Sequence, residues 1–206
     1  NYIKGEIGSK KVTALKESKI EDYKKTAEYW VYLGYYMAEA GMYKEAIEAY
    51  RQAIRIKPDF AMAHFGLGIV YDSLDMYKEV IEAYKQVIRI KPDLADAHYN
   101  LGRAYGKSGM WKEAIEAFKQ TIRINHDDAE AHKNLGLAYF KLGIYKEAIE
   151  ACKQAIRIKP DFAEAHLGLG FTYLMLDDRG AALEEYKILK NLDPDMANEL
   201  FNLIYK

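Results

Sequence analysis

The sequence predicts an all-α chain of tandem helix–turn–helix repeats, and three observations carry that prediction. The string IRIKPD stands at 54–59, 88–93 and 156–161, and its third copy begins three times 34 residues after its first. Where a fourth copy belongs, at 122–127, the chain reads IRINHD. Within this register glycine returns at Gly34, Gly68, Gly102, Gly136 and Gly170, each preceded by a leucine. Apolar residues also recur at three- and four-residue spacing on both sides of a break in every repeat, which is the period of a helix and not of a strand.

Residues 1–26 fall outside the register. NYIKGEIGSKK reads as an irregular tail and ALKESKIEDYKK as a partial helix with Leu15, Ile20 and Tyr23 roughly on one side. Five repeats follow, at 27–60, 61–94, 95–128, 129–162 and 163–196. The break inside each is Gly41, Asp75, Gly109, Gly143 or Asp177, and glycine there can take the left-handed conformation that ends a helix. Asp59, Asp93, Asp127, Asp161 and Asp195 stand just before the next helix and are expected to cap its first amides. Asp96, Glu130 and Glu164, three residues further on, would complete something similar to a capping box. Small residues at the twentieth position (Ala46, Val80, Ala114, Ala148, Ala182) let the paired helices approach at the glycine. Tyr50, Tyr84, Phe118 and Tyr186 at the twenty-fourth fill the space beside them, and Cys152 stands there in the fourth repeat. The fifth repeat has DDRG at 177–180 where the others carry an apolar pair. Residues 197–206, with Leu200, Leu203 and Ile204 as an apolar stripe, read as a C-terminal helix that caps the array.

WVYLGYYM at 30–37 with Ala46, Tyr50 and Pro58, and HLGLGFTY at 166–173 with Ala182, Tyr186 and Pro194, closely resemble the tetratricopeptide repeat (TPR) family. The resemblance implies a right-handed solenoid of helix pairs whose concave groove is lined by the first helix of each repeat. It implies no catalytic activity, and no phosphate loop, nucleophile elbow or metalloprotease signature is found. The chain is therefore expected not to be an enzyme and to need no cofactor.

The 30 basic and 31 acidic side chains give a net charge of −1, which offers no positive field for nucleic acid or an anionic membrane. No apolar run approaches the ~20 residues of a membrane helix. A cytoplasmic location is expected; the chain begins with Asn1, so loss of an export signal leaves an exported form open. The lone cysteine excludes an internal disulfide framework.

His64, His98, His132 and His166 are spaced by 34 and occupy a packing position of the repeat, filled by Trp30 in the first. Stacked helices hold such residues ~8–10 Å apart, too far to converge on one metal ion, so core packing is expected. His126 and Asp128, which replace the proline and apolar residue of the other junctions, read as a softer joint between repeats three and four. Cys152 is expected to be an inert buried thiol that leaves its repeat less well filled. Lysines Lys44, Lys78, Lys112 and Lys146, each with a glutamate four residues on, read as a solvated face of weak ion pairs.

In the expected groove stand Val31, Tyr32 and Tyr35, then Phe65 and Ile69, then Tyr99, Asn100, Arg103 and Lys107. Lys133, Asn134, Leu137, Phe140 and Lys141 follow, and then Leu167 and Phe171. Asn100 and Asn134 share a position at which the groove is similar to the peptide-binding repeats of O-GlcNAc transferase, which implies that they bond a ligand's backbone. Phe65, Ile69, Asp96, Glu130 and Glu164 occupy positions where the family's chaperone-tail clamp needs cations or amides, so that ligand is not expected. The sequence thus points to a non-catalytic scaffold that binds a peptide of a partner protein. The alternative is a self-associating module, because residues 1–26 could span ~85 Å and reach this groove or a neighbour's, or the ends of the solenoid could stack on one another.

Overall fold

The computed structural model describes residues 25–206. Of the tail and partial helix expected over residues 1–26, residues 1–24 therefore lie outside the described residues. The chain divides into two compact units with the boundary between Ala104 and Tyr105. Each is described by itself.

The first unit holds α1 (Ala27–Glu39), α2 (Tyr43–Ile56), α3 (Ala61–Ser73), α4 (Tyr77–Ile90) and most of α5 (Ala95–Lys107). The second holds α6 (Trp111–Ile124), α7 (Ala129–Lys141), α8 (Tyr145–Ile158), α9 (Ala163–Met175), α10 (Arg179–Leu192) and α11 (Pro194–Ile204). All regular structure among the described residues is helical, and α1, α3, α5, α7 and α9 begin 34 residues apart. In the first unit α1 packs on α2, α3 on α4, and α1 on α3. In the second α7 packs on α8, α9 on α10, and the first helices touch in sequence, α7 with α9 and α9 with α11.

The turn inside each helix pair passes through a left-handed residue at the expected break. Gly41, Gly109 and Gly143 have φ of 75°, 73° and 73°, and Asp75 and Asp177 reach 54° and 59°. Within each unit the paired helices close around small residues, since Ala46 and Val80 in the first and Ala148 and Ala182 in the second are essentially without solvent exposure.

The junction aspartates do not cap. Phe60 and Phe162 are the N-cap residues of α3 and α9, with no side-chain cap bond. The cause is a turn closed by the Phe60 amide on the Lys57 carbonyl at 3.2 Å, and by Phe162 on Lys159 at 3.1 Å. Pro58 and Asp59 occupy the two central positions of that turn, so the carboxylate of Asp59 points away from the helix start. It accepts instead from Arg89 of α4 at 2.6 Å. The capping box therefore does not form, and Glu130 pairs with Lys133 at 3.0 Å.

Two junctions differ, and for a chemical reason. Asp128 stands where phenylalanine caps elsewhere, and its carboxylate accepts from the Ala131 amide at 2.9 Å. The joint that looks softer in sequence thus gains a side-chain cap that its neighbours lack. Asp193 replaces the Lys57, Lys91 and Lys159 of other repeats and accepts from the Asp195 and Met196 amides, both at 3.0 Å. With Pro194 as its first residue, α11 starts three residues earlier than expected. Its buried stripe is Ala197, Leu200 and Ile204, whereas Leu203 is 43% exposed. Asp178 likewise caps α10 through the Ala181 amide at 3.0 Å.

Candidate functional site

The site begins with the way each repeat uses its glycines. Tyr50 is buried, and its ring lies against Gly34 of its own repeat and Gly66 of the next. A Cβ at Gly34 would stand 2.9 Å from Cε1 of Tyr50, and one at Gly66 would come still closer to the ring. Tyr84 sits in the same way on Gly68, where a Cβ would lie 2.7 Å from Cζ, and takes Phe65 edge-on at 5.3 Å. Burial pushes both phenols above their ordinary pKa.

The fourth repeat keeps the glycine pair and lacks the ring. Gly136 and Gly168 flank Cys152, whose Sγ would stand 2.7 Å from a Cβ at Gly136 and 3.6 Å from one at Gly168. A pocket of about 370 Å³ opens above the sulfur. Leu137, Phe140, Leu167 and Phe171 form its apolar walls, and Lys133, Lys141 and Glu164 also line it. Thr172, also in the lining, spends its hydroxyl on the Gly168 carbonyl at 2.7 Å. Burial pushes the Cys152 thiol up to about 12, so a neutral sulfur forms the floor. The expectation that cysteine leaves this repeat less well filled agrees with this pocket.

In the second unit the structure places Lys133, Phe140 and Phe171 around that pocket. Asn134 stands half-buried on α7. In the first unit Tyr32 donates to the Tyr36 hydroxyl at 3.0 Å, and Tyr35 packs edge-on against Tyr36 at 5.5 Å. Ile69 is 40% exposed, and Tyr99 is half-buried on α5. Arg103 donates to the Asn100 side-chain oxygen at 3.3 Å and to Asp72 at 3.4 Å, so its charge is already met by a carboxylate. Phe65 is buried against Tyr84 and Val31 is buried too, because both point between helices and not out of the face. Neither belongs to the exposed set expected of them. Leu137, Phe140, Leu167 and Phe171 are residues expected in the groove from the sequence, whereas the framing of this pocket by Gly136 and Gly168 was not expected. The signal was present, since Cys152 and Gly168 are both small where a ring and its neighbour would meet.

The four spaced histidines do more than fill space. Each Nε2–H points at the carbonyl of the residue six before it: Pro58 at 2.9 Å, Pro92 at 2.8 Å, His126 at 3.3 Å and Pro160 at 3.0 Å. They tie the junction turn to the helix that follows, and of the four only His166 is buried. Among the described residues no group of three or more His, Cys, Asp or Glu side chains is placed to hold a metal ion. The second-helix glutamates pair forward, Glu48 with Arg51 at 3.4 Å and Glu116 with Lys119 at 3.3 Å, on solvated faces where such pairs contribute little. Among the described residues no helix is long and apolar enough to cross a membrane.

Helix pairs at a 34-residue spacing, closed by glycine against a buried ring, define an all-α repeat scaffold of the kind used for protein–protein interaction. Family models agree: one described as Tetratricopeptide repeat matches residues 129–162, and one described as TPR repeat matches 27–75, 76–109 and 107–143. The chain belongs to the tetratricopeptide repeat family. Among solved structures it is similar to YrrB, described as a TPR protein with an unusual peptide-binding site, with a TM-score of 0.80 at 24% identity over 90% of this chain and 96% of that one. That likeness shows the fold. Two crystal structures of MamA are similar at 27% and 28% identity, with TM-scores of 0.79 and 0.77. They cover 85% and 81% of this chain and 96% and 97% of theirs. No curated protein matches the chain.

Proposed function

We propose that this protein is a non-catalytic scaffold that binds a peptide segment of a partner protein on the faces of its first helices. The observation that carries the reading is the open, largely apolar pocket between α7 and α9, of about 370 Å³. Binding sites are concave and mainly apolar with a few polar groups that orient the ligand, and this pocket has that make-up. Within the second unit Asn134 would extend the contact beyond it, and in the first unit Tyr32, Tyr35, Ile69, Tyr99, Asn100 and Arg103 would offer contacts of their own. Asn100, with its oxygen taken by Arg103, would offer its amide donors to a peptide carbonyl.

Selection of displayed random peptides on the immobilised protein, followed by calorimetry, tests this. Leu137 is 43% exposed, so Leu137→Glu alters the face and leaves the core intact. Selected peptides should lose about tenfold in affinity or more for that variant. Failure to select any peptide, or equal affinity for both proteins, would remove the reading.

A second reading is a self-associating module, and an aromatic row that runs from α10 across α11 to Tyr205 favours it. Tyr186, Phe201 and Tyr205 stack in sequence at 5.3 and 4.5 Å, and Phe201, Leu203 and Tyr205 are 39%, 43% and 65% exposed. Light scattering of the protein and of Phe201→Ser separates the two: a concentration-dependent dimer lost in the variant supports self-association, and a strict monomer excludes it.

A further inference from the structure

The fourth repeat contains a socket for a ring that this chain does not fill. In the first repeat Gly34 and Gly66 both give up a side chain so that Tyr50 can lie between them. Gly136 and Gly168 stand at the corresponding positions 102 residues later, but Cys152 reaches only part of the way. The space that remains is the pocket walled by Leu137, Phe140, Leu167 and Phe171. We infer that this socket takes an aromatic side chain supplied by an acidic segment of the bound peptide, which completes the fourth repeat as Tyr50 completes the first. The inference rests on the scaffold reading and names the chemistry of its ligand.

Three features select that occupant. The glycine pair sets a slot into which, in the first repeat, a flat ring fits, and offset or edge-on contacts with Phe140 and Phe171 favour a ring over an aliphatic chain. The floor is a neutral sulfur, and sulfur–aromatic contact is favourable, whereas a charged tip would be left unpaired there. Charge sets the sequence around the ring. Lys133 and Lys141 line the pocket against the single carboxylate Glu164. Lys133 also pairs with Glu130 at 3.0 Å and lies 5.6 Å from the Phe162 ring, so it is held in place beside the pocket. A carboxylate on either side of the incoming ring would meet these cations, and a basic flank would be repelled.

The probe is a capped pentapeptide with phenylalanine between two pairs of aspartates, titrated into the labelled full chain and followed by the amide signals of Gly136 and Gly168. Saturable shifts at both are expected. They should vanish when alanine replaces the phenylalanine of the peptide, and lysine in place of the aspartates should weaken them about tenfold. Cys152→Tyr plugs the socket with the side chain of the first repeat and should abolish the shifts while the melting temperature is kept or raised. No shift with the phenylalanine peptide overturns the inference, as do equal shifts with the alanine peptide. Shifts that persist in folded Cys152→Tyr overturn it too. Should Cys152→Tyr not fold, the alanine and lysine peptides decide the matter on the unaltered protein. A change of these two signals on removal of residues 1–24, with no peptide added, would assign the socket to the chain itself and overturn the inference. If displayed peptides are selected but the probe fails, the socket is wrong and the scaffold reading stands; if nothing is selected and the probe fails, both fall.

Discussion

His166 on α9 donates from Nδ1 to Oε2 of Glu185 on α10 at 2.6 Å, while its Nε2 donates to the Pro160 carbonyl at 3.0 Å. Both ring nitrogens face acceptors, so the site favours the imidazolium, and the hydrogen bond to Glu185 holds the His166 pKa above its ordinary value. The other four repeats carry Ala49, Ala83, Ala117 and Ala151 where Glu185 stands. This buried pair therefore belongs to the fifth repeat alone among the five.

Its consequence for stability has a definite sign. The folded pKa lies above the unfolded value of about 6.5, so the pair's contribution is complete below that pH and disappears as pH rises through the folded value. Thermal melts of the protein and of Glu185→Gln should differ most at mildly acidic pH and converge at alkaline pH. A gap that widens with rising pH would contradict the charge assignment.

Gly66 and Gly168 stand at the same position of their repeats and should respond oppositely to alanine. A Cβ at Gly66 runs into the Tyr50 ring, whose atoms cannot swing aside, whereas one at Gly168 stands at an ordinary 3.6 Å from the Cys152 sulfur. Gly66→Ala should cost about 1–3 kcal/mol through overpacking. Gly168→Ala should be neutral or gain up to about 1 kcal/mol from helix propensity. Urea midpoints of the two variants, measured side by side, check the contrast.

Much of this was legible in the sequence, because a 34-residue period repeats one packing solution several times. The helix pairs, their left-handed breaks and the close approach at Gly34 all follow from that period. Local hydrogen bonding was harder to read. Asp59 resembles an N-cap until the Lys57–Phe60 turn, which takes up both Pro58 and Asp59, is seen. Asp193 carried a readable signal, an acceptor where three repeats have lysine, yet its effect on the start of α11 depends on backbone geometry. The register places Leu137, Phe140, Leu167 and Phe171 on first helices, but it does not say which first-helix residues point outward. Phe65 and Ile69 lie four residues apart on α3, and one is buried while the other is exposed.

Asp193 should act as the anchor of α11. Asp193→Lys restores the residue of other repeats, removes the acceptor for the Asp195 and Met196 amides, and sets a positive charge at a helix N-terminus. A loss of about 1–2 kcal/mol is expected. It should be local: hydrogen exchange should quicken at Leu200 and Ile204 and stay unchanged across α7. Leu200 covers Gly170, where a Cβ would lie 2.6 Å from its Cδ2, so loosening α11 uncovers the end of the fifth repeat.

Asp177 holds φ at 59° where three other repeats place glycine at 73–75°. A residue with a Cβ pays about 1–2 kcal/mol for that conformation, less when a short polar side chain can bond locally. The Asp177 side chain is 94% exposed and meets Arg179 only at 3.9 Å, so little offsets the strain. Glycine would relieve it but is more flexible when unfolded, which returns about 0.5–1 kcal/mol. The balance predicts that Asp177→Gly gains about 0.5 kcal/mol and that Asp177→Ala loses about 1 kcal/mol. Chemical denaturation of the three proteins tests both signs at once. If Asp177→Ala were as stable as Asp177→Gly, the left-handed turn would not be under strain, and the glycines at the corresponding breaks would need another explanation.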